Sequence, residues 1–283
     1  MLVRLCIMCP PSWERPVISI QSVEPRRSGF THFVEHWHNP SARFMVGRVW
    51  ALTNLSITQN INKHRARPVA FWYIYGAGGY GVETMDLLRQ MLNAKSEGSI
   101  QPAFLADEPT KTDLLGYDVV RFAEAVPRSL VTIAVGEPET RCLLRKKALD
   151  ADLALASVIS PQAFVSDLAS VGAGCIIAPF CSIQAGAILA ENVAVNTAAI
   201  VGHDVFIDCD SGLSSMINLG GATKVGARSY IGMGALVKEG LTIGHSTIVG
   251  MGSVVYTDVP DEVVCVGNPA RVSRRNTDKK VFK

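Results

Sequence analysis

Two histidines, His203 and His245, lie within residues 165–260. His203 stands between Gly202 and Asp204. An imidazole has an ordinary pKa near 6.5 and can take a proton at neutral pH. A carboxylate beside it can fix its tautomer and steady the imidazolium that forms. The plainer alternative is a surface histidine at a corner of the fold, which is also the reading for His245. A second constellation is Gly76-Ala77-Gly78-Gly79-Tyr80-Gly81, a GxGxxG run after a β-rich segment and before a helical stripe. Such a turn places phosphates on a helix N-terminus; a glycine-rich turn needed only for structure is the alternative. His32, His36 and His38 have no cysteine or carboxylate cluster at ligand spacing and read as a solvated stretch. Cys6 and Cys9 form a lone CxxC with no second pair, so metal or redox use is not expected.

The composition narrows the classes. The chain has 283 residues, 18% charged, with a net charge of +2. That is enough chain for two domains and a large core, and it excludes a disordered chain, a collagen and a disulfide scaffold. The charge gives no argument for nucleic acid or an anionic membrane. No stretch reaches the ~18 apolar residues of a membrane span, and the first residues lack a signal-peptide apolar core. Seven cysteines without a framework, with Cys175, Cys181 and Cys209 among aliphatic residues, suggest a reducing, cytoplasmic compartment.

The elements that must position these groups fall into zones. Residues 1–68 show no sustained period and carry Pro10, Pro11, Pro16, Pro25 and Pro40, which suggests a poorly ordered extension; a translation start at Met45 is one hypothesis for it. Residues 69–160 alternate strand and helix: strands at 69–76, 102–107, 130–136 and 153–160, helices at 79–94 and 139–149. That pattern predicts a small Rossmann-like α/β domain with a parallel sheet. It has room for one mononucleotide-binding half, and nothing downstream offers hydride chemistry, which weighs against a nicotinamide dinucleotide.

Residues 161–273 carry the strongest pattern. Stepping by six from Val165 to Val255 meets sixteen positions, all Val, Ile or Leu, without an insertion. A short fixed period predicts a solenoid. Three hexads make a triangular coil, so about five coils at ~4.8 Å spacing build a prism about 25 Å tall. The fifth position is small or β-branched, as at Ala187, Ala199, Ser229 and Ser253. Glycine often follows the aliphatic, where it is expected to permit the turn. His203 and His245 are seven hexads apart, not a multiple of three, so they should occupy different sides of the prism and form no metal site within one chain. Residues 274–283 read as a basic tail.

The hexad repeat resembles that of the left-handed parallel β-helix acyltransferases. IYGAGGYG at 74–81, VNTAAIVGHD at 195–204 and VVCVGNPARV at 263–272 make it more closely similar to the NeuD/PglD type of sugar and sialic acid acetyltransferases. The resemblance covers about residues 70–273. It implies a homotrimer with active sites between neighbouring prisms, and an acetyl-CoA-dependent transfer to the amino group of a nucleotide-linked amino sugar. His203 would be the general base and Asp204 the residue that tunes it. Gly78, Gly79, Tyr80, Asp107 and Gly136 would bind the nucleotide-linked sugar. Coenzyme A would run past Gly212, Gly221, Met233 and Met251. At 212 the family commonly has a second histidine near the acetyl group; with glycine there, the backbone N–H of Gly221 is another possible partner for the acyl carbonyl. The rival readings are O-acetylation of a sialic acid or other sugar, a catalytically weakened scaffold, and a zinc hydratase.

Overall fold

The computed structural model describes residues 70–95 and 100–282, all within one compact unit, 64–283. The expected extension over 1–68, with its histidines and CxxC, lies outside the described residues. The first part is a sheet with two helices: β1 (Ala70–Tyr75), α1 (Gly79–Lys95), β2 (Ile100–Ala106), β3 (Asp113–Leu114), β4 (Tyr117–Arg121), β5 (Leu130–Ile133), α2 (Pro138–Asp150) and β6 (Ala154–Leu155). The order is β3-β4-β2-β1-β5-β6, parallel except for β3. Alternation along β1 explains why it is central. Trp72 and Ile74 join the core on the α1 side, while Tyr73 and Tyr75 join a second core cluster on the other side of the sheet. The chain leaves β1 for β2 on one side and later returns to β5 on the other. The carboxyl ends of β1 and β5 therefore form a topological switch point, the place where open α/β sheets set their ligand crevice.

From Val158 onward the chain is a three-sided parallel solenoid. Each two-residue strand pairs with the one eighteen residues later, as Ile176 with Ala194 and Ile200 with Asn218. Fourteen of the sixteen hexad aliphatics, Ile177 to Val255, are at most 4% exposed, and the small fifth-position residues Ala187, Ala199, Ser229 and Ser253 are fully buried beside them. Val165 and Val171 are only partly buried because they stand in the first coil. The strand expected over 153–160 divides. Ala154–Leu155 closes the sheet on β5 and Val158–Ile159 opens the prism, so the border lies before 158 rather than at 160/161.

The expectation for the glycines after each aliphatic needs correction. The left-handed residue of each turn is two positions later, at Asn192, Asp204, Asp210 and Ala222 among others. The glycines instead allow adjacent coils to touch. A β-carbon on Gly202 would lie 2.7 Å from the Leu219 carbonyl oxygen, and one on Gly226 would lie 2.5 Å from the His245 nitrogen. Close stacking of backbone, not backbone handedness, selects glycine there.

The three faces differ in cover. The first carries Val158, Ile176, Ala194, Gly212 and Ile248 outward, and all are buried beneath the sheet and helices or the chain end. The second carries Phe164, Ile200 and Leu236 outward, and the third Ile188, Lys224 and Thr242; these are exposed. The prism ends in a hairpin, Val263–Gly267 antiparallel to Ala270–Arg275. There the step along the first face shrinks from eighteen residues to sixteen, Ile248 pairing with Val264. The expected basic tail at 274–283 thus begins inside a strand, and its next residue, Asn276, is buried.

Candidate active site

His203 and Asp204 occupy the turn between the second and third faces. His203 Nδ1 lies 2.9 Å from Asp204 Oδ2, and about two-thirds of each side chain is exposed. A proton held on Nδ1 by the carboxylate leaves the Nε2 lone pair free to accept another. Stacking positions both groups. Gly221 lies one coil beyond His203, and a β-carbon there would come within 2.4 Å of Nε2. Gly186 lies one coil before Asp204, and a β-carbon there would come within 2.3 Å of Oδ1. Two glycines thus make a seat for the pair.

The other expected residues lie elsewhere on the prism. Met233 and Met251 project from the corner between the first and second faces, 44% and 76% exposed. Gly212 is buried on the first face, where a β-carbon would meet the Tyr230 ring at 3.2 Å and the Gly136 carbonyl at 3.7 Å. It therefore offers no open surface for a cofactor to run along, and its small size serves the packing of the sheet domain. His245 is on the corner between the third and first faces, half-exposed, with Nε2 3.3 Å from Asp261 Oδ2. Among the described residues no three His, Cys, Asp or Glu side chains gather to hold a metal ion.

The crevice collects the remaining positions at the carboxyl ends of three adjacent strands: Gly78 and Gly79 after β1, Asp107 after β2, Gly136 after β5. In the glycine run, structure explains two members. A β-carbon on Gly76 would strike the Ala134 oxygen at 2.6 Å, and one on Gly81 would strike the Gly76 oxygen at 1.9 Å. Gly78 and Gly79 are exposed and have nothing within 4 Å of that position, so the fold alone does not require them. Tyr80 differs from the expectation of a residue facing ligand: its hydroxyl is buried without a hydrogen-bond partner, and burial pushes its pKa up to about 12. Asp107 accepts from the Tyr75 hydroxyl and from Lys147 Nζ at 2.5 Å. Burial alone would raise its pKa, but those two donors hold it below the usual range.

No family model matches the chain. It is 28% identical over 212 residues to GDP-perosamine N-acetyltransferase of Escherichia coli O157:H7, covering 72% of this chain and 96% of that one. Among solved structures, it is 31% identical to the acetyltransferase domain of PglB from Neisseria gonorrhoeae, with a TM-score of 0.65, covering 72% of this chain and 99% of that chain. PerB from Caulobacter crescentus, solved with CoA and GDP-perosamine, is 28% identical with a TM-score of 0.65, covering 74% and 100%. The chain belongs to the hexapeptide-repeat acetyltransferases.

Sequence reasoning missed how this acetyltransferase fixes its sheet to its prism. Arg141 on α2 is fully buried. Its Nη1 donates to the carbonyls of Ile133 and Val135, and its Nη2 to the carbonyl and side-chain oxygen of Asn192 on the prism. Beside it, Arg145 makes a two-pronged contact with Asp210 at 2.8 and 2.9 Å. Burial would raise the Asp210 carboxyl, but Arg145 and Asn192 hold it below the usual range. In the sequence both arginines sit in ETRCLLRKK, within the helix expected over 139–149. Their partners are backbone carbonyls and distant turns, so no local signal marks them.

Proposed function

We propose that this hexapeptide-repeat acetyltransferase is of the NeuD/PglD type, and N-acetylates a nucleotide-linked amino sugar with acetyl-CoA, as a homotrimer. The observation that carries the reading is the exposed His203–Asp204 pair on a corner opposite the covered face. The amine lone pair attacks the thioester carbonyl while His203 Nε2 takes the amine proton. The C–S bond then breaks, and coenzyme A leaves as the thiol after taking up a proton. Among the described residues no exposed cysteine offers a rival acyl-enzyme route. Burial pushes Cys175 and Cys265 to about 11 and Cys209 to about 12, leaving little thiolate at neutral pH.

A Rossmann-like crevice would hold the nucleotide, with Gly78 and Gly79 against its phosphates and Asp107 and Gly136 at its flanks. Within one chain the crevice lies against the first face and His203 points away from it. A second copy is needed to bring a histidine to the amine. An apolar strip on the second face and its neighbouring corner, including Phe164, Phe180, Ile200, Met216 and Leu236, suits such a contact. In the assembly, Gly221 and the exposed Met233 and Met251 would lie along the coenzyme from adjoining chains. The reading is supported by a relative named GDP-perosamine N-acetyltransferase and by PerB, solved with CoA and GDP-perosamine. No helix among the described residues is long and apolar enough to cross a membrane.

The test is thiol release from acetyl-CoA with a panel of nucleotide-linked amino sugars. Turnover with amino sugars but not with their hydroxyl counterparts is expected, and the reverse preference would move the assignment to O-acetylation. His203→Ala should lower kcat by about 10²–10⁴-fold. Undiminished turnover in that variant would remove His203 as the base.

A further inference from the structure

The chain end is held against the crevice. Asn276 donates from its backbone to the Glu262 carbonyl and from its side chain to the Ser246 carbonyl, at 2.8 and 2.7 Å. Lys279 lies 3.5 Å from Glu262. Farther on, the Glu137 carboxylate accepts the backbone N–H groups of Val281 and Phe282 at 3.0 and 3.2 Å. The Phe282 ring packs edge-on against Tyr230, with centroids 5.4 Å apart. It also presses on Gly136, where a β-carbon would lie 3.1 Å from the ring. Gly136 is thus the residue that admits the ring, and more than half of Phe282 still faces outward.

We propose that Phe282, carried on the strap Asn276–Phe282, is a specificity-determining wall on the β5 side of the nucleotide crevice. This rests on the function proposed above. Two helices begin at the crevice, and a helix N-terminus favours anions through its free N–H groups and dipole. At α2 that position is taken: Glu137 supplies a negative charge just before the helix and is occupied with the strap. A phosphate there would meet like charge and the Phe282 ring. At α1 the first turn has no acidic residue, and Gly78 and Gly79 are open. The strap therefore directs the phosphates to α1 and leaves an aromatic ring where the nucleoside or sugar must pass.

The experiment compares the full chain with Phe282→Ala and with a chain stopped after Asn276. KM is measured for GDP-perosamine and for a UDP-linked 4-amino sugar, with KM for acetyl-CoA in parallel and direct calorimetric titration of GDP and UDP. Both variants are expected to raise the nucleotide-sugar KM about five- to tenfold, the loss of one aromatic contact, while acetyl-CoA KM stays within about twofold. Glu137→Ala, which frees the strap without altering the ring, should give the same rise. A nucleotide-sugar KM that is unchanged or lowered in the two strap variants overturns the proposal. A full chain that neither binds nor turns over any nucleotide-linked sugar strikes the proposed function instead, so the two failures are distinct.

Discussion

Between His203 and the coil beyond it there is space for a hydrogen atom on Gly221 but not for a methyl group. The methyl of alanine would lie 2.4 Å from Nε2, well inside contact distance. The backbone there tolerates alanine, since Gly221 does not adopt a positive φ. Gly221→Ala should therefore fold normally and displace the imidazole. A misplacement near 1 Å costs about 10²-fold in rate. Steady-state kinetics with a matched thermal melt checks this: an unchanged kcat, or a collapsed melt, would show that the glycine serves another purpose. At this scale the sequence was partly legible. His203 and Asp204 are neighbours in the chain, and their pairing could be read directly. Gly186 and Gly221 meet them only through the eighteen-residue stack, and Gly221 had been expected beside coenzyme A, without this steric role toward the imidazole. Tyr80 was expected to face ligand because it follows the glycines, yet its place in the first turn of α1 turns its hydroxyl inward.

Helix α2 shows how an element is held by charge in a buried seam. Asp210 is fully buried, and the Arg145 side chain is 15% exposed. Asp210→Ala would leave the guanidinium with only the Glu191 carboxylate, 3.2 Å from Nη1, and would remove the acceptor of the Asn192 amide, a loss of about 3 kcal/mol. Chemical denaturation should register that loss, and a change below about 1 kcal/mol would show that the contact is incidental. The same carboxyl predicts a response to acid. Its folded pKa lies below the unfolded value of about 3.9, so its stabilisation is complete above that pH. The stabilisation disappears as pH falls through the folded value. Asp210→Asn should accordingly flatten the stability curve below about pH 4, measured by thermal melts across pH.

Elements with a strong period were readable from sequence: of the helical stripe Val82, Met85, Leu88, Met91 and Leu92, all but the partly buried Val82 form the buried side of α1, and the hexads form the prism. The β3–β4 hairpin was not found. Its turn uses Leu115 and Gly116 with positive φ, a conformation usually announced by Asn-Gly or Asp-Gly. Gly116 between two short apolar runs was the available signal. The docked strap has no period of its own and is fixed by Glu137, far away in the chain.

On the scale of the molecule, the crevice and the histidine stand on opposite sides of one prism. If neighbouring copies share the work, two defective chains should repair each other. Chains carrying His203→Ala, co-assembled with chains whose crevice is blocked by Gly79→Trp, should recover a fraction of wild-type turnover. Each parent alone should be nearly inactive. Mixed assemblies no better than their parents would place the whole site in one subunit.

The terminal hairpin has a consequence for solubility. A stack of parallel coils offers an open edge at each end, onto which another stack could add without limit. Here the final coil is shortened by two residues and then reverses direction, and its outermost strand carries Arg271, Arg274 and Arg275. An incoming coil would find neither a matching ladder nor a neutral edge, so the protein can retain a fibre-like interior repeat without polymerising from that end.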